Sequence, residues 1–234
     1  MKDIQNLHDD RRINIRKVGV KTISYPITVL DRQKKLQQTI ATVNMYVNLP
    51  HRFKGTHMSR FVEILNRFHG EFNLEKFHLI LEEMKDRLNA QEAHLEIGFP
   101  YFSEKDPVTG SIGVDRYECR MHGWLQQTND LVLEVDIPIT SAGEEKGGEG
   151  LPRSSGRWGY ARVAVRFNEF IWIEELVSLV RQGIAEESDL TNSVESLCRQ
   201  IGTVLISHRA IAWFRVVVEN LAEGYSTFAS VEGP

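Results

Sequence analysis

The most constraining feature of the sequence is a change of apolar period that occurs twice in the same order. Between residues 40 and 49 apolar and polar side chains alternate, which is the period of a half-buried strand. From residue 61 to residue 88 apolar residues recur every three or four positions, which predicts two amphipathic helices, and alternation returns at residue 93. With strands also expected over 18–30 and 117–125, the first half predicts the order strand, strand, helix, helix, strand, strand.

The second half repeats this order. Strand-like alternation covers 131–139 and 163–167, helical faces cover 173–180 and 194–204, and strands are expected again over 211–218 and 225–231. Two consecutive ββααββ units indicate an internal duplication. We therefore expect an α+β fold with helix pairs on one face of antiparallel sheets, in two modules, 1–128 and 129–234.

Isolated units of this kind have open sheet edges. A four-stranded antiparallel unit leaves unpaired backbone groups on its outer strands, and proteins usually pair or cover such edges. We expect the sheets to continue into neighbouring modules or subunits, which predicts a homo-oligomer. Pro26 in the first strand suggests an edge position or a bulge, because proline cannot donate to a sheet ladder.

Composition narrows the classes of function. The formal net charge of −4 is spread along the 234 residues and gives no basic footprint, so nucleic-acid binding is not expected. No apolar run reaches membrane-spanning length, and the polar start does not resemble a signal peptide. Cys119 and Cys198 have neither CxxC spacing nor a clustered histidine, and we expect them to be buried thiols of a cytoplasmic protein.

The segment from Thr140 to Tyr160 interrupts the pattern. Its core, residues 142–157, has no apolar period and carries glycine or charge at nearly every step. Such a composition predicts a surface loop. Two interpretations follow, a linker between modules and an active-site loop with altered chemistry.

Particular strings go further than periodicity. In the first half these are residues 5–12 (QNLHDDRR), 25–31 (YPITVLD), 41–47 (ATVNMYV) and 53–65 (FKGTHMSRFVEIL). Shorter strings at 93–96 (AHLE), 99–102 (FPYF), 211–216 (IAWFRV) and 218–220 (VEN) extend the match towards the C-terminus. Together they closely resemble the GTP cyclohydrolase IB family over most of the chain.

The resemblance implies a fold and a reaction. Members of that family have the tunnelling fold, with two ββααββ modules per chain, and form homotetramers with active sites between subunits. They convert GTP to 7,8-dihydroneopterin triphosphate and release formate, which is the entry to folate-type pterins. A divalent metal such as zinc or manganese, held by a cysteine, histidines and a glutamate, activates the attacking water.

The resemblance also implies where the metal ligands belong, and this sequence carries other residues there. The cysteine position falls on Gly143 and a second family cysteine on Glu145, while the two histidine positions fall on Ser155 and Tyr225. The glutamate-bearing segment between the C-terminal helices has no counterpart in residues 181–193. Glycine has no ligating side chain, and serine and neutral tyrosine are poor ligands for zinc-like ions. We therefore expect no metal cofactor.

A replacement metal site is the alternative. Glu144, Glu145 and Glu149 lie in the same loop and would need a histidine from elsewhere in the chain. Acidic residues in a glycine-rich loop are more often solvated, so this alternative is the less favoured one.

Other positions predict substrate contacts. Glu195 matches the glutamate that anchors a purine or pterin in tunnelling-fold proteins, and an exposed helical glutamate is the equally weighted alternative. Lys54, His57 and Arg60 lie at a loop-to-helix start, where they could receive a triphosphate. Helix capping or a subunit contact is the alternative for His57 and Arg60. We expect residues 8–10 to form an interface or lead-in segment, and the sequence identifies no catalytic residue.

Three functional hypotheses remain. The leading one is a cytoplasmic homo-oligomer, expected as a tetramer, that keeps the family scaffold and a pocket for GTP or a pterin-like molecule but lacks metal-dependent hydrolysis. The second is an enzyme that acts on a pterin or purine without a metal, which the fold permits. The third is a non-catalytic partner subunit of a true cyclohydrolase.

Overall fold

The computed structural model describes residues 14–33, 35–50, 56–68, 74–104, 114–140, 157–185 and 193–234. The first half contains β1 (Ile15–Leu30), β2 (Leu36–Leu49), α1 (Met58–Arg67), α2 (Leu74–Arg87), β3 (Ala93–Glu104) and β4 (Val114–Leu125). The second half contains β5 (Asn129–Thr140), β6 (Arg157–Phe167), α3 (Ile173–Ala185), α4 (Val194–Ile206), β7 (Ile211–Leu221) and β8 (Ser226–Gly233). The predicted α+β class and the twice-repeated element order are confirmed.

The chain divides into two compact units, Met1–Leu133 and Glu134–Pro234. In the first unit the strand order is β1-β2-β3-β4, and neighbouring strands are antiparallel. The second unit begins within β5, at Glu134; its strand order is β5-β6-β7-β8, and β7 pairs antiparallel with both β6 and β8. The module boundary after residue 128 stays a prediction.

The core of the first unit lies between its helices and one face of its sheet. Met45, Leu95 and Gly123 are neighbours across β2, β3 and β4, and a Cβ atom placed on Gly123 would lie 2.1 Å from the Phe77 ring. The helical side of this core consists of fully buried side chains at every third or fourth position, namely Phe61, Ile64, Leu65, Phe77, Ile80, Leu81 and Met84. The buried helical side chains, which recur with a period of about 3.6 residues, therefore pack against the odd-numbered residues of β2 and β3.

The second unit uses the same principle with closer backbone contacts. Phe214 is 2% exposed, and its ring fills the space above Gly202 of α4 and Gly233 of β8. At Gly183 of α3 a Cβ atom would lie 3.0 Å from the Cα atom of Ile201 in α4. The glycines thus allow the two helices and the last strand to approach each other closely.

Both cysteines are buried, as predicted, with Cys119 in β4 and Cys198 in α4. Burial raises the pKa of the Cys198 thiol, which lies 3.6 Å from the carbonyl oxygen of Val216. Within the described ranges, no helix combines the length and apolar character needed to span a membrane.

Of the two local expectations, the edge position of Pro26 is confirmed, because β1 lies at the end of the strand order. The register shifts of β1 fall elsewhere, between Ile15 and Val18 and between Val20 and Ile23, and Pro26 pairs in register with Ile40. The start of the last strand needs correction. The last strand begins at Ser226 rather than Tyr225. Tyr225 belongs to the preceding turn, in which Gly224 has a φ of +85° and the carbonyl of Tyr225 accepts a hydrogen bond from the Ala222 amide at 3.1 Å.

Candidate functional site

The candidate site lies on the face of the first sheet that points away from α1 and α2. Asn44, Glu96 and His122 are neighbours across β2, β3 and β4, one residue out of phase with the row that packs on Phe77. Because side chains alternate along a strand, these residues share the opposite face. We call this surface, which includes Thr42, Asn44, Tyr46, Glu96, Gly98, Arg120 and His122, the polar face.

Glu96 is held in place by two side chains of β2. The Tyr46 hydroxyl donates to Glu96 Oε2 at 2.6 Å, and Asn44 Nδ2 donates to the same oxygen at 3.0 Å. Asn44 is fixed in turn, because its Oδ1 accepts a hydrogen bond from the Thr22 amide at 2.8 Å. A continuous set of hydrogen bonds therefore runs from β1 through β2 to the carboxylate on β3.

A distortion of β1 makes this arrangement possible. Thr22 has a φ of +56° within the second register shift of the strand, between Val20 and Ile23, and its hydroxyl donates to the Lys21 carbonyl at 2.8 Å. A left-handed conformation at a β-branched residue costs about 1–3 kcal/mol. The bulged strand places the ammonium groups of Lys17 and Lys21 each 5.3 Å from the centroid of the Tyr46 ring. Tyr46 is consequently only 5% exposed.

The Tyr46–Glu96 pair has a definite protonation state at neutral pH. Burial raises the pKa of Tyr46, and the hydrogen bond to Glu96 raises it further. Burial also raises the pKa of Glu96, but the bonds from Tyr46 and Asn44, with the nearby charges of His122 and Lys17, lower it by more, so the net pKa lies below its ordinary value. The pair is therefore a neutral phenol donating to a carboxylate, which is a charge-assisted hydrogen bond.

An aromatic stack adjoins this pair. The rings of His94 and Trp124 are stacked with centroids 5.8 Å apart and an interplanar angle of 4°, and Tyr46 meets His94 edge-on at 6.4 Å. Burial, followed by the positive charge of Lys17, lowers the pKa of His94. His94 is thus a neutral aromatic ring at neutral pH and not a charged partner of Glu96.

The polar face contains a groove of about 530 Å³ beside Glu96. Its lining comes from β2, β3 and β4 and includes Thr42, Gly98, Pro100, Arg116, Glu118, Arg120 and His122. The volume is within the range of small-molecule sites, about 300–1,000 Å³. The groove carries both carboxylate acceptors and guanidinium donors, so it suits a ligand with donor and acceptor groups of its own.

Replacing Tyr46 by phenylalanine should raise the pKa of Glu96, because the hydroxyl that stabilises the ionised form is lost. A carboxylate with a depressed pKa contributes stability above its unfolded pKa and loses it as the pH falls through the folded pKa. In Tyr46→Phe the folded pKa lies closer to the unfolded one, so this contribution should be smaller than in the parent and its loss should be complete at a higher pH. Carboxyl-carbon NMR titration of Glu96 measures the shift. Tyr25→Phe is the matched control, because the hydroxyl that it removes donates to the Leu65 carbonyl. An unchanged pKa in Tyr46→Phe would contradict the assignment.

The second unit has a related pair. The Tyr160 hydroxyl donates to Glu219 Oε2 between β6 and β7, and Arg162 bonds both carboxylate oxygens of Asp136 at 2.8 and 3.3 Å. The hydrogen bond to Glu219 and then burial raise the pKa of Tyr160. The duplication is therefore visible in side-chain chemistry as well as in element order.

The predicted triphosphate contacts lie at the start of α1. His57 is the N-cap residue, without a side-chain capping bond, and its carbonyl accepts from the Arg60 amide at 3.1 Å. Arg60 Nη1 donates to the carbonyl of Arg87 at the end of α2 at 3.0 Å, which is a capping contact between the helices. The substrate role of both residues stays a prediction, and Lys54 lies outside the described residues.

Glu195 is exposed in the first turn of α4. A hydrogen bond to its own backbone amide and one with Ser193 lower its pKa, so it is ionised at neutral pH. Ser193 also caps the helix by accepting from the Ser196 amide at 3.2 Å. The predicted purine-anchoring role of Glu195 stays a prediction.

The family's metal-ligand positions are only partly visible. Gly143 and Ser155 lie outside the described residues, as do the acidic residues at 144, 145 and 149. Tyr225 is 69% exposed in the turn before β8. In the part of the chain that the structure describes, no three His, Cys, Asp or Glu side chains are grouped to hold a metal ion.

Sequence reasoning missed the Tyr46–Asn44–Glu96 cluster as a site. It used Asn44 and Glu96 only as the polar half of a strand pattern and as parts of recognisable strings. The available signal was a run of polar residues on the outward side of consecutive strands, with Gly98 inside one of them. Such a run marks a polar sheet face, but it does not show which residues touch.

Solved structures similar to this chain show its fold. The uricase of Arthrobacter globiformis superimposes with a TM-score of 0.62 at 9% sequence identity, over 93% of this chain and 92% of the other. The urate oxidase of Bacillus subtilis gives 0.57 at 9% identity, over 93% and 98%. At these identities the comparison concerns the fold alone, which is the predicted tunnelling fold.

Sequence comparison identifies the family. The profile described as Type I GTP cyclohydrolase folE2 matches residues 1–143. The GTP cyclohydrolase FolE2 of Syntrophobacter fumaroxidans is 43% identical over 257 aligned positions, with 99% of each chain covered. That of Geobacter sulfurreducens is 44% identical over 256 positions, covering 99% of this chain and 98% of the relative. This chain therefore belongs to the type I GTP cyclohydrolase FolE2 family.

Proposed function

We propose that this protein binds a purine or pterin heterocycle of the GTP type on the family scaffold and lacks the family's metal-dependent hydrolysis. The ligand class is supported by the relatives, which are named GTP cyclohydrolases and align along the whole chain. The loss of metal dependence is supported by the side chains that remain available as ligands.

The two cysteines are the main support for the loss of metal-dependent hydrolysis. The sequence contains two, and Cys119 and Cys198 are only 1% and 2% exposed within the cores of their units. The metal site implied by the family needs a thiolate together with imidazole and carboxylate groups. Neither buried thiol can supply it without disrupting a core, so the residues present do not fit the family's metal.

The lengths of the relatives agree with this proposal. The alignment with the first relative has 257 positions against 234 residues in this chain, so at least 23 positions (257 − 234) have no counterpart here. The connection between α3 and α4 consists of residues 186–193 alone. A short connection there is consistent with loss of the segment on which the family carries its glutamate ligand.

Binding would use groups that this chain retains. The ionised carboxylate of Glu195 can accept two parallel hydrogen bonds from the N–H edge of a purine or pterin. Lys54, His57 and Arg60 are the proposed contacts of the triphosphate. We favour a tetramer as the form of self-association. It would use β1, the first strand in the order of the first unit, and β8, the last strand in the order of the second unit, as pairing edges.

Metal analysis and a formate assay on the purified protein test the proposal. We expect well below one zinc or manganese ion per chain, no formate release from GTP even with either metal added, and measurable GTP binding by calorimetry. The FolE2 protein of Geobacter sulfurreducens serves as the positive control for formate release. Stoichiometric metal together with formate production would overturn the proposal.

The same preparation separates the alternatives. Turnover of a pterin or purine in the presence of a chelator would favour a metal-independent enzyme. Co-purification with a second cyclohydrolase-type chain as a mixed oligomer would favour a partner subunit, whereas self-association alone would count against it.

A further inference from the structure

We propose that the groove on the polar face is a ligand site of the first unit, which takes a flat nitrogen heterocycle with an N–H donor edge and an acceptor group opposite that edge. The proposal rests on the proposed function for its ligand class, and it adds a binding position at Glu96 and Gly98 to the one proposed at Glu195. The groove, the missing side chain at its floor and the fixed carboxylate at its end support it.

Gly98 forms the floor of the groove. A Cβ atom on Gly98 would meet only Arg120 Cγ and the Cys119 carbonyl, both at 3.9 Å, which is ordinary contact distance. Its φ also lies outside the left-handed region, so neither packing nor backbone conformation requires glycine there. Glycine inside a strand weakens the strand and often marks a place where a ligand approaches the backbone.

The neighbours of Gly98 define a slot. Thr42 of β2 and Arg120 of β4 pair with Gly98 on its two sides. Neighbouring strands are about 4.8 Å apart, so these flanking residues are separated by about 9.6 Å across the missing side chain. A flat ring can therefore lie on the Gly98 backbone between them.

The ends of the slot differ in charge. Glu96 lies at one end, and both bonds from Tyr46 and Asn44 reach its Oε2. A carboxylate has about four acceptor positions, so Glu96 retains capacity for ligand N–H groups. Arg120 flanks the floor, and Arg116, which pairs with Glu118 at 2.5 Å, lies further along. An amide- or amidine-like edge towards Glu96, with a carbonyl or anionic group towards the arginines, matches this pattern.

Calorimetric titration of the full chain with guanosine, GTP and inorganic triphosphate tests the site. Gly98→Val fills the floor with a side chain that strands favour, and Glu96→Gln removes the charge at the end of the slot. Each is expected to weaken guanosine binding about tenfold or more, or to remove one of two binding events. Gln38→Val is the matched control, because Gln38 is an exposed residue on the same side of β2 outside the groove lining. Glu195→Gln reports on the proposed anchor in the second unit.

The outcomes separate the two proposals. If the parent binds GTP but Gly98→Val and Glu96→Gln bind guanosine as tightly as Gln38→Val, the groove is not the site and the proposed function stands. If the parent binds neither guanosine nor GTP, both proposals fail. If only inorganic triphosphate binds, the heterocycle assignment fails. Thermal melts accompany each variant, and Glu96→Gln decides the matter if Gly98→Val melts below the parent.

Discussion

Replacing Phe77 by alanine is expected to lower the free energy of unfolding of the first unit by about 3–5 kcal/mol, as for other large buried rings. The side chain is 1% exposed, and it covers Gly123 at the point where α2 meets β4. Its removal leaves a cavity that the rigid strand cannot fill. Urea denaturation followed by tryptophan fluorescence measures the loss, with Leu79→Ala as control, since Leu79 lies on the same helix but is 42% exposed. The control should change the free energy by about 0.5 kcal/mol or less.

A double-mutant cycle tests the contact itself. In Gly123→Ala the new Cβ atom would lie 2.1 Å from one carbon of the Phe77 ring and 3.0 Å from Leu81 Cδ1, so the single variant should also be destabilised. In Phe77→Ala that ring is gone, and the added methyl group occupies part of the cavity. The double variant should therefore be more stable than the sum of the two single losses predicts. Additive losses would show that the ring and the glycine do not share this space.

Most of the fold can be predicted from the sequence, because its strands and helices follow from the local spacing of apolar residues. Alternation in β2 places Val43 and Met45 against the helices, and the spacing of Phe61, Ile64 and Leu65 provides the facing helical surface. The pattern fails locally at Tyr46, which lies on the polar face and is nevertheless buried. Lys17 and Lys21 of the bulged β1 cover it, and neither the bulge nor the positive φ of Thr22 has a local sequence signature.

The candidate site could be predicted less well because it depends on strand register. Glu96 meets Tyr46 and Asn44 across 50 and 52 residues of sequence, and a shift of one residue in the pairing would turn Glu96 to the opposite face. Resemblance to known strings predicted the family, which the comparisons show. It directed attention to ligand positions such as Gly143 and Ser155, however, and the structure describes neither.

The second large loss of stability is expected when a glycine within a strand is replaced. The residues around such a glycine in the sequence do not show how closely the neighbouring strand approaches it. At Gly159 of β6 a Cβ atom would lie 1.9 Å from the Glu219 carbonyl oxygen and 2.9 Å from its carbon, both backbone atoms. Gly159→Ala should therefore force β6 from β7 and lower the free energy of unfolding of the second unit by about 3 kcal/mol, at the upper end for overpacking. Urea denaturation measures it, and a loss below about 1 kcal/mol would show that the strands separate easily.

Gly98→Ala is the matched control with the opposite sign. The added Cβ atom has only ordinary contacts at 3.9 Å, so the variant should stabilise the first unit by about 0.5–1 kcal/mol through the lower entropy of its unfolded chain. Gly19 in β1 belongs with Gly159, because its Cβ atom would lie 1.9 Å from the Met45 carbonyl oxygen. Two of these three glycines are thus required by the approach of a neighbouring strand. Gly98 has no such requirement. If Gly98→Ala is more stable than the parent but no longer binds guanosine, the missing side chain at this position serves ligand binding in the groove.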